Sequence, residues 1–359
     1  MRNGIVDRIE RGEAVLHASG YLFEMERRGY LQAGAFVPEV VLEHPEVVEQ
    51  LTREFARGGA DVLLAFTYYG HREKLRLIGK EDILEPMNRQ AIAIAKKVRA
   101  DFPNALVAGN ICNTNVWNPN DPASFDEARA IFTEQIVWAK EEGVDFIVAE
   151  TIAFEGEAKV AIEVCNAFDL PIVQGLAIHR EGTLRDTDDS LGEVLKRLRE
   201  HGADVVGFNC HRGPNTMLPL LQEAVTAIEP NRVCAWPVGY RTTAAEPTFG
   251  ALTDTHECSP KGRRGELSFP VALDPFTVTR FEFAEFAVAA HAMGACYIGT
   301  CCGGAPHHMR AMAEALGRTP ASSRFSHDMS KHYALGNNAM LKDQNRAYAG
   351  QAADGGSRL

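Results

Sequence analysis

Between residues 15 and 300, short runs rich in Val, Ile, Leu and Ala alternate with longer segments of helical periodicity. Strands apolar on both faces need cover on both sides, so this alternation predicts βα units around a parallel sheet. Strands are predicted at 14–16, 62–66, 106–109, 146–149, 172–176, 205–208, 233–236 and 296–299, the eight that a closed barrel requires. Several are preceded by one grammar, as in RGGADVLL, EEGVDFIV, EHGADVVG and AMGACYIG. The recurring glycine reads as a helix C-terminal cap before the next strand. With 359 residues, 45% of them apolar, the chain has the length for one (β/α)8 TIM barrel, a fold of roughly 250 residues, plus insertions.

Two regions leave the pattern. Residues 240–275 are rich in Thr, Pro, Gly and charge, and are expected to form an insertion on the barrel rim. Beyond 318 the apolar periodicity fades. The expected division is therefore a barrel domain over 1–318 and a tail over 319–359, either disordered or packed as an arm on another subunit.

A formal net charge of −11 argues against a nucleic-acid face, since phosphate binding needs clustered Lys and Arg. No apolar stretch approaches the roughly 20 residues that span a bilayer, and the N-terminus lacks the apolar core of a signal peptide. The expectation is a soluble, cytoplasmic protein that handles small molecules, with neither nucleic acid nor membrane as partner. In a reducing compartment its eight cysteines are not a disulfide framework, so local setting must assign each of them.

In a barrel of this kind, residues just past the C-terminal strand ends line one shared mouth. Cys210 follows the strand VVGFN, and Cys301-Cys302 follow YIGT and precede Gly303-Gly304, whose backbone can approach a site closely. Three thiolates converging there would suit zinc, with a fourth position left for substrate. Cysteine is also a small hydrophobe that packs well, which is the reading preferred for Cys112, Cys165, Cys234, Cys258 and Cys296. For the other three, spacing alone leaves metal binding and packing both open. Of the twelve histidines, His17, His179 and His211 adjoin strand ends, and none is assigned to a metal.

The segments GFNCHRGP and GTCCGGAPHHMRAMAEAL resemble the two zinc motifs of the homocysteine S-methyltransferase family, and match its betaine-homocysteine branch best. The resemblance runs from RIERGEAVLHASGYLFEMERRGY through HPEVVEQLTREFARGGADVLLAFTYYGHREKL and covers nearly the whole chain. It implies that Cys210, Cys301 and Cys302 bind Zn2+, whose fourth ligand is the thiolate of the methyl acceptor, and that the protein is a homo-oligomer.

The implied chemistry is physically coherent. A free thiol with a pKa near 8.5 is mostly protonated at neutral pH, and coordination removes that proton. A quaternary ammonium or sulfonium donor needs no second cofactor, because its leaving group departs neutral. Such a cation calls for aromatic faces. Tyr68 and Tyr69 in AFTYYG and Phe36 in AGAFVPE match positions where the betaine branch carries donor-binding aromatics, although tryptophan is usual at the position of Phe36. Glu150, at the end of FIVAET, either caps the following helix or holds the acceptor amino group; the resemblance implies the second. Asn209 would orient the Cys210 loop or a ligand.

One departure stands out. Relatives carry Gly-Asp-Gly-Gly after strand one, and the aspartate contacts the acceptor amino group, whereas this chain has His17-Ala18-Ser19-Gly20. Losing a charge-assisted hydrogen bond costs roughly 1.5–3 kcal/mol. Either Glu150 and His17 manage without it or the acceptor is another thiol. The leading expectation is thus methyl transfer from a betaine-like or sulfonium donor to homocysteine, giving methionine. The same chemistry with other small molecules, and a non-catalytic redox or zinc-binding barrel, are the alternatives. A metal-dependent hydrolase is disfavoured, since such sites prefer His and carboxylate ligands.

Overall fold

The computed structural model describes residues 4–253, 266–326, 328–333 and 335–353. Eight parallel strands close in sequence order into a barrel: β1 (Val15–Ala18), β2 (Val62–Leu64), β3 (Leu106–Cys112), β4 (Phe146–Ile152), β5 (Ile172–Leu176), β6 (Val205–Asn209), β7 (Val233–Trp236) and β8 (Ala295–Thr300). Closure is made by β1 against β8, with Val15 opposite Tyr297 and Ala18 opposite Thr300. Every strand residue is buried, as expected where helices cover the outside of the sheet and side chains fill the inside.

A principal helix follows each strand, α1 (Pro45–Arg57), α2 (Leu84–Arg99), α3 (Pro122–Glu142), α4 (Glu155–Ala167), α5 (Leu191–Glu200), α6 (Pro214–Ala227), α7 (Arg280–Met293) and α8 (Pro306–Ala315), with shorter helices at Ile5–Glu10, Tyr21–Arg27, Val40–Glu43 and Arg72–Arg76. In α1 the buried positions are Val48, Leu51, Thr52, Phe55 and Ala56, the i, i+3, i+4, i+7, i+8 stripe of a helix with one apolar face. Burying Phe55 contributes about 1.5–3 kcal/mol, so Phe55→Asp would detach that face. Entry into α5 and α7 is set by capping boxes, Ser190 with Glu193 and Thr279 with Glu282.

The repeated Gly-x-Asp grammar has a structural cause. Gly59, Gly143 and Gly202, before β2, β4 and β6, take left-handed conformation, φ 105°, 71° and 110°, which lets the chain turn sharply into the next strand. The aspartate that follows then clasps the preceding strand in both directions. Asp61 N–H donates to Leu16 O (2.8 Å) and its carboxylate accepts from Leu16 N–H (2.7 Å). Asp145 does the same with Val107 (2.8 and 2.7 Å), and Asp204 with Ile172 (3.1 and 2.9 Å). Asp61 also receives Arg8 and Arg318, both at 2.6 Å, tying the chain on either side of the barrel to its base.

The rim segment leaves at Tyr240, which bridges Thr277 on the way back, and contains a further antiparallel bridge, Thr253 to Leu267. Cys258, read as a packing cysteine, lies outside the described residues. The chain divides into two compact units, Met1–Ala321 and Ser322–Leu359. The second holds the helix Asp343–Ala353, in a stretch whose sequence shows little apolar period. Among the described residues, no helix is long and apolar enough to cross a membrane.

Asp204→Ala should cost about 1–3 kcal/mol, because the buried Ile172 N–H loses its partner. Asp61→Ala should cost more, since Arg8 and Arg318 are stranded as well. Urea unfolding at neutral pH measures both; midpoints equal to the parent's would contradict the clasp.

Candidate active site

The end of β7 aligns the two cysteine segments. Cys210 N–H donates to Trp236 O (3.1 Å), Cys301 N–H to Pro237 O (2.8 Å), and Gly239 N–H to Cys302 O (2.7 Å). The crossing is tight: a Cβ on Gly239 would stand 2.4 Å from Gly303 O, and one on Gly303, where φ is +77°, would stand 2.5 Å from the Tyr240 ring. The glycines after Cys302 therefore serve the close approach expected of them.

The sulfurs of Cys210, Cys301 and Cys302 lie within 4.8 Å of one another, with Cys210 and Cys302 at 3.7 Å. Ligands about 2.3 Å from a tetrahedral ion stand about 3.8 Å apart, so three thiolates at this spacing fit around one metal ion. With protons on the cluster, hydrogen bonds from Cys301 and then Cys302 hold the Cys210 thiol below its ordinary pKa. Cys302 is pushed up chiefly by its hydrogen bond with Cys210, and Cys301 chiefly by burial. Three thiolates this close in a buried site would repel one another, a repulsion that a cation among the sulfurs would relieve.

Asn209 supports the cluster from beneath. Its Oδ1 accepts the Thr151 N–H (2.7 Å), and its Nδ2 donates to Thr151 Oγ1 (2.9 Å), Glu150 Oε2 (3.4 Å) and Cys301 Sγ (3.8 Å). Glu150 also receives Asn110 Nδ2 (2.8 Å) and Trp236 Nε1 (3.4 Å). Its carboxyl is pushed up to about 8, first by burial and then by the neighbouring Cys301.

A cavity of about 670 Å³ opens above Cys210 and Cys302. Tyr68, Tyr69 and Phe36, the candidate donor-binding aromatics, are among its lining residues. The Tyr68 and Tyr69 ring centroids are 4.4 Å apart, and Lys74 Nζ stands 4.3 Å from the centre of the Tyr69 ring, a cation already held on an aromatic face. Burial first, then the charge of Cys112, pushes Tyr69 up to about 12 and keeps its hydroxyl protonated. His17, Ala18, Glu150 and Asn209 are not among the residues lining this cavity. His17 is wholly buried in the barrel, its ring 5.4 Å from that of Trp236 and 5.2 Å from that of Tyr297, with neither nitrogen hydrogen-bonded. Ala18 belongs to the apolar core.

Sequence reasoning missed most of the cavity wall. Trp117 follows β3, Thr151 and Glu157 follow or end β4, Arg185 follows β5, and Phe249 and Phe269 come from the rim segment. Their signal was position, just past strand ends, without a motif to mark them. His179 and His211 line the wall with rings 4.2 Å apart, and neither belongs to the sulfur cluster. Backbone strain concentrates here too: of the eight described non-glycine residues with positive φ, six line the cavity, namely Phe36, Tyr69, Asn115, Thr151, Cys210 and His211.

Fold and site together define a barrel enzyme with a thiol cluster at the floor of an aromatic cavity. The family profile described as homocysteine S-methyltransferase matches residues 19–316. Betaine-homocysteine S-methyltransferase 1 of Rattus norvegicus is 35% identical over 319 residues, covering 88% of this chain and 75% of that protein. S-methylmethionine-homocysteine S-methyltransferase of Pongo abelii is 33% identical over 321 residues, covering 88% and 82%. The metallated form of homocysteine methyltransferase MmuM from Escherichia coli superposes with a TM-score of 0.63 at 17% identity, covering 85% of this chain and 96% of that one, and so shares the fold. The chain belongs to the homocysteine S-methyltransferase family, and it is a methyltransferase.

Two outcomes follow. Burial lowers His17 from 6.5 to about 3, so below pH 6.5 the unfolded chain binds a proton that the folded one refuses. Stability must then fall as pH drops from 6.5 toward 3, and His17→Phe should flatten that fall by up to about 1.4 kcal/mol per pH unit. Parallel stability curves for variant and parent would contradict this. Asn209→Ala should cost about 1–3 kcal/mol of stability, read by urea unfolding, because it unties Cys301 and leaves the Thr151 N–H without its partner; an unchanged midpoint would show the amide to be dispensable.

Proposed function

We propose that the protein transfers a methyl group from a betaine-like quaternary ammonium or sulfonium donor to homocysteine, giving methionine, with Zn2+ held by Cys210, Cys301 and Cys302. The observation that carries this reading is the convergence of three sulfurs at the floor of a cavity walled by tyrosines. An all-sulfur set at tetrahedral spacing favours zinc over harder ions. When bound, zinc would bind the acceptor thiol as its thiolate, the form that attacks a methyl carbon.

The residues then have distinct work. Cys210 and Cys302, which line the cavity, would hold the metal from its side, and Cys301, whose sulfur receives Asn209 Nδ2, would be the third ligand. Tyr68 and Tyr69 turn ring faces to the cationic donor and exclude water from it. As the sulfur–carbon bond forms, the carbon–nitrogen bond breaks and its electron pair stays on nitrogen, so a trimethylammonium donor departs as a neutral dimethylamine. The acceptor proton leaves to solvent before transfer. Glu150 and Asn209 act by positioning: they tie the ends of β4, β6 and β8 together beneath the sulfurs.

The enclosure of Glu150 favours a second reading for the acceptor. Glu150 is surrounded by donors from Asn110, Asn209 and Trp236, Ala18 lacks a carboxylate, and Glu157, the one carboxylate among the cavity-lining residues, is itself buried and accepts from Thr114 N–H and Oγ1, so the second reading is an acceptor thiol without an ammonium group. Homo-oligomer formation through 319–359 belongs to the same proposal, supported by exposed Phe325, Tyr333, Leu335 and Met340.

Purified protein should carry about one zinc per chain and form methionine from homocysteine and trimethylammonioacetate. Cys302→Ser should lose the metal and, with it, activity by more than the roughly 10–100-fold cost of losing a supporting contact. Zinc-free protein that turns over at the parent rate would overturn the proposal. Tyr69→Ala should raise the donor KM about tenfold with zinc content intact, as loss of a partly desolvated cation–π contact implies; an unchanged KM would remove Tyr69 from the donor site.

A further inference from the structure

The turn that carries Tyr68 and Tyr69 is fastened to its surroundings by side chains that the methyl-transfer reading does not use. β2 ends at Leu64, yet the chain beyond it keeps step with β3, bonding at every second residue. Ala65 N–H donates to Ala108 O (2.9 Å), Thr67 Oγ1 to Asn110 O (2.7 Å) and Tyr69 N–H to Cys112 Sγ (3.2 Å). Side chains thus take over from backbone as the ladder runs out. Tyr69 stands at φ 59°, left-handed backbone that a residue with a large side chain seldom adopts, and the Cys112 sulfur is the acceptor that holds its amide there.

The next residue is held from the other side. Gly70 N–H closes the turn on Thr67 O (2.7 Å), and its carbonyl accepts from two buried amides, Asn88 Nδ2 on α2 (2.8 Å) and Gln135 Nε2 on α3 (3.2 Å). Gln135 Nε2 also donates to Asn88 Oδ1 (3.0 Å), and Asn88 Nδ2 to Leu84 O (2.8 Å). Gln135 occupies the buried stripe of α3 beside Ile131, Phe132 and Ile136, where packing alone calls for an apolar residue. Neither Cys112, Asn88 nor Gln135 is among the residues lining the cavity.

We infer that Cys112, Asn88 and Gln135 are positioning residues for Tyr69, locking the turn after β2 so that its ring stands at the cavity before the methyl donor arrives. The inference rests on the reading of Tyr69 as a donor-binding ring and adds what aims that ring. A ring face attracts a cation only when the two meet in the right place, so a ring fixed in advance avoids an ordering cost on binding. Release of either fastening lets Tyr69 leave left-handed backbone, and a change of φ swings the whole side chain. The sulfur cluster is tied separately, to the end of β7 and to Asn209.

The test is steady-state kinetics of the zinc-loaded enzyme with trimethylammonioacetate and homocysteine. Cys112→Ala and Gln135→Met each remove one fastening and should raise the donor KM about twofold to tenfold, the loss expected of one neutral hydrogen bond, with the homocysteine KM and zinc content of the parent. Cys112→Ser, which keeps an acceptor at that position, should stay within about twofold of the parent. In a Tyr69→Ala background neither Cys112→Ala nor Gln135→Met should raise the donor KM further, because the ring they aim is gone. An unchanged donor KM in either variant overturns the inference, as does a rise that persists in the Tyr69→Ala background or is shared by the homocysteine KM, which marks a general loosening of the barrel. Should Gln135→Met fail to fold, the Cys112 pair decides alone. A Tyr69→Ala enzyme with the parent's donor KM would overturn the reading on which the inference rests, and the inference with it.

Discussion

The carboxamide of Asn209 is the contact on which the site depends. It joins three strand ends that are distant in sequence: it accepts the Thr151 N–H at the end of β4, reaches Cys301 after β8, and belongs itself to β6. A buried amide is stabilising only when its donors and acceptor are used, and here they are. Thr151 and Cys210, on either side of this contact, both adopt left-handed backbone, φ 63° and 58°. Such conformations cost about 1–3 kcal/mol each and persist where neighbours over-determine them. Asn209 and the β7 strap supply that constraint.

The second constraint is charge. Three sulfurs this close in a buried place cannot all ionise unaided, and the carboxyl of Glu150 beneath them is pushed up for the same reason, burial first and neighbouring sulfur second. The thiol cluster, the sealed glutamate and the rings above it form one gradient, from groups that need a cation among them to faces that attract one. The clasps of Asp61, Asp145 and Asp204 lie at the opposite ends of their strands, so the barrel is stitched at its base and keeps its mouth for chemistry.

Much of this was legible in the sequence, for local reasons. Apolar runs marked every strand, because both faces of each are covered, and the Gly-x-Asp grammar recurs because each copy performs the same turn and clasp. Strand ends were less legible: β3 and β4 continue to Cys112 and Ile152, three residues past the predicted limits, since Asn110 and Glu150 are polar yet buried and hydrogen-bonded to one another. The cysteines and Tyr68-Tyr69 stood out as unusual chemistry just past strands. The surroundings of His17 were not legible, because its partners Trp236 and Tyr297 lie on β7 and β8, far away in sequence and brought beside β1 only by closure of the barrel. Phe249 and Phe269 reach the cavity from a rim segment whose path no short-range pattern specifies.

The central claim is that Cys210, Cys301 and Cys302 hold one zinc ion whose remaining position takes the acceptor sulfur. Zinc K-edge X-ray absorption on the purified protein, before and after addition of homocysteine, measures this directly. The account predicts three sulfur neighbours near 2.3 Å with one lighter atom, becoming four sulfurs when homocysteine is added. A nitrogen- and oxygen-dominated shell, or a sulfur count that homocysteine leaves unchanged, would contradict it.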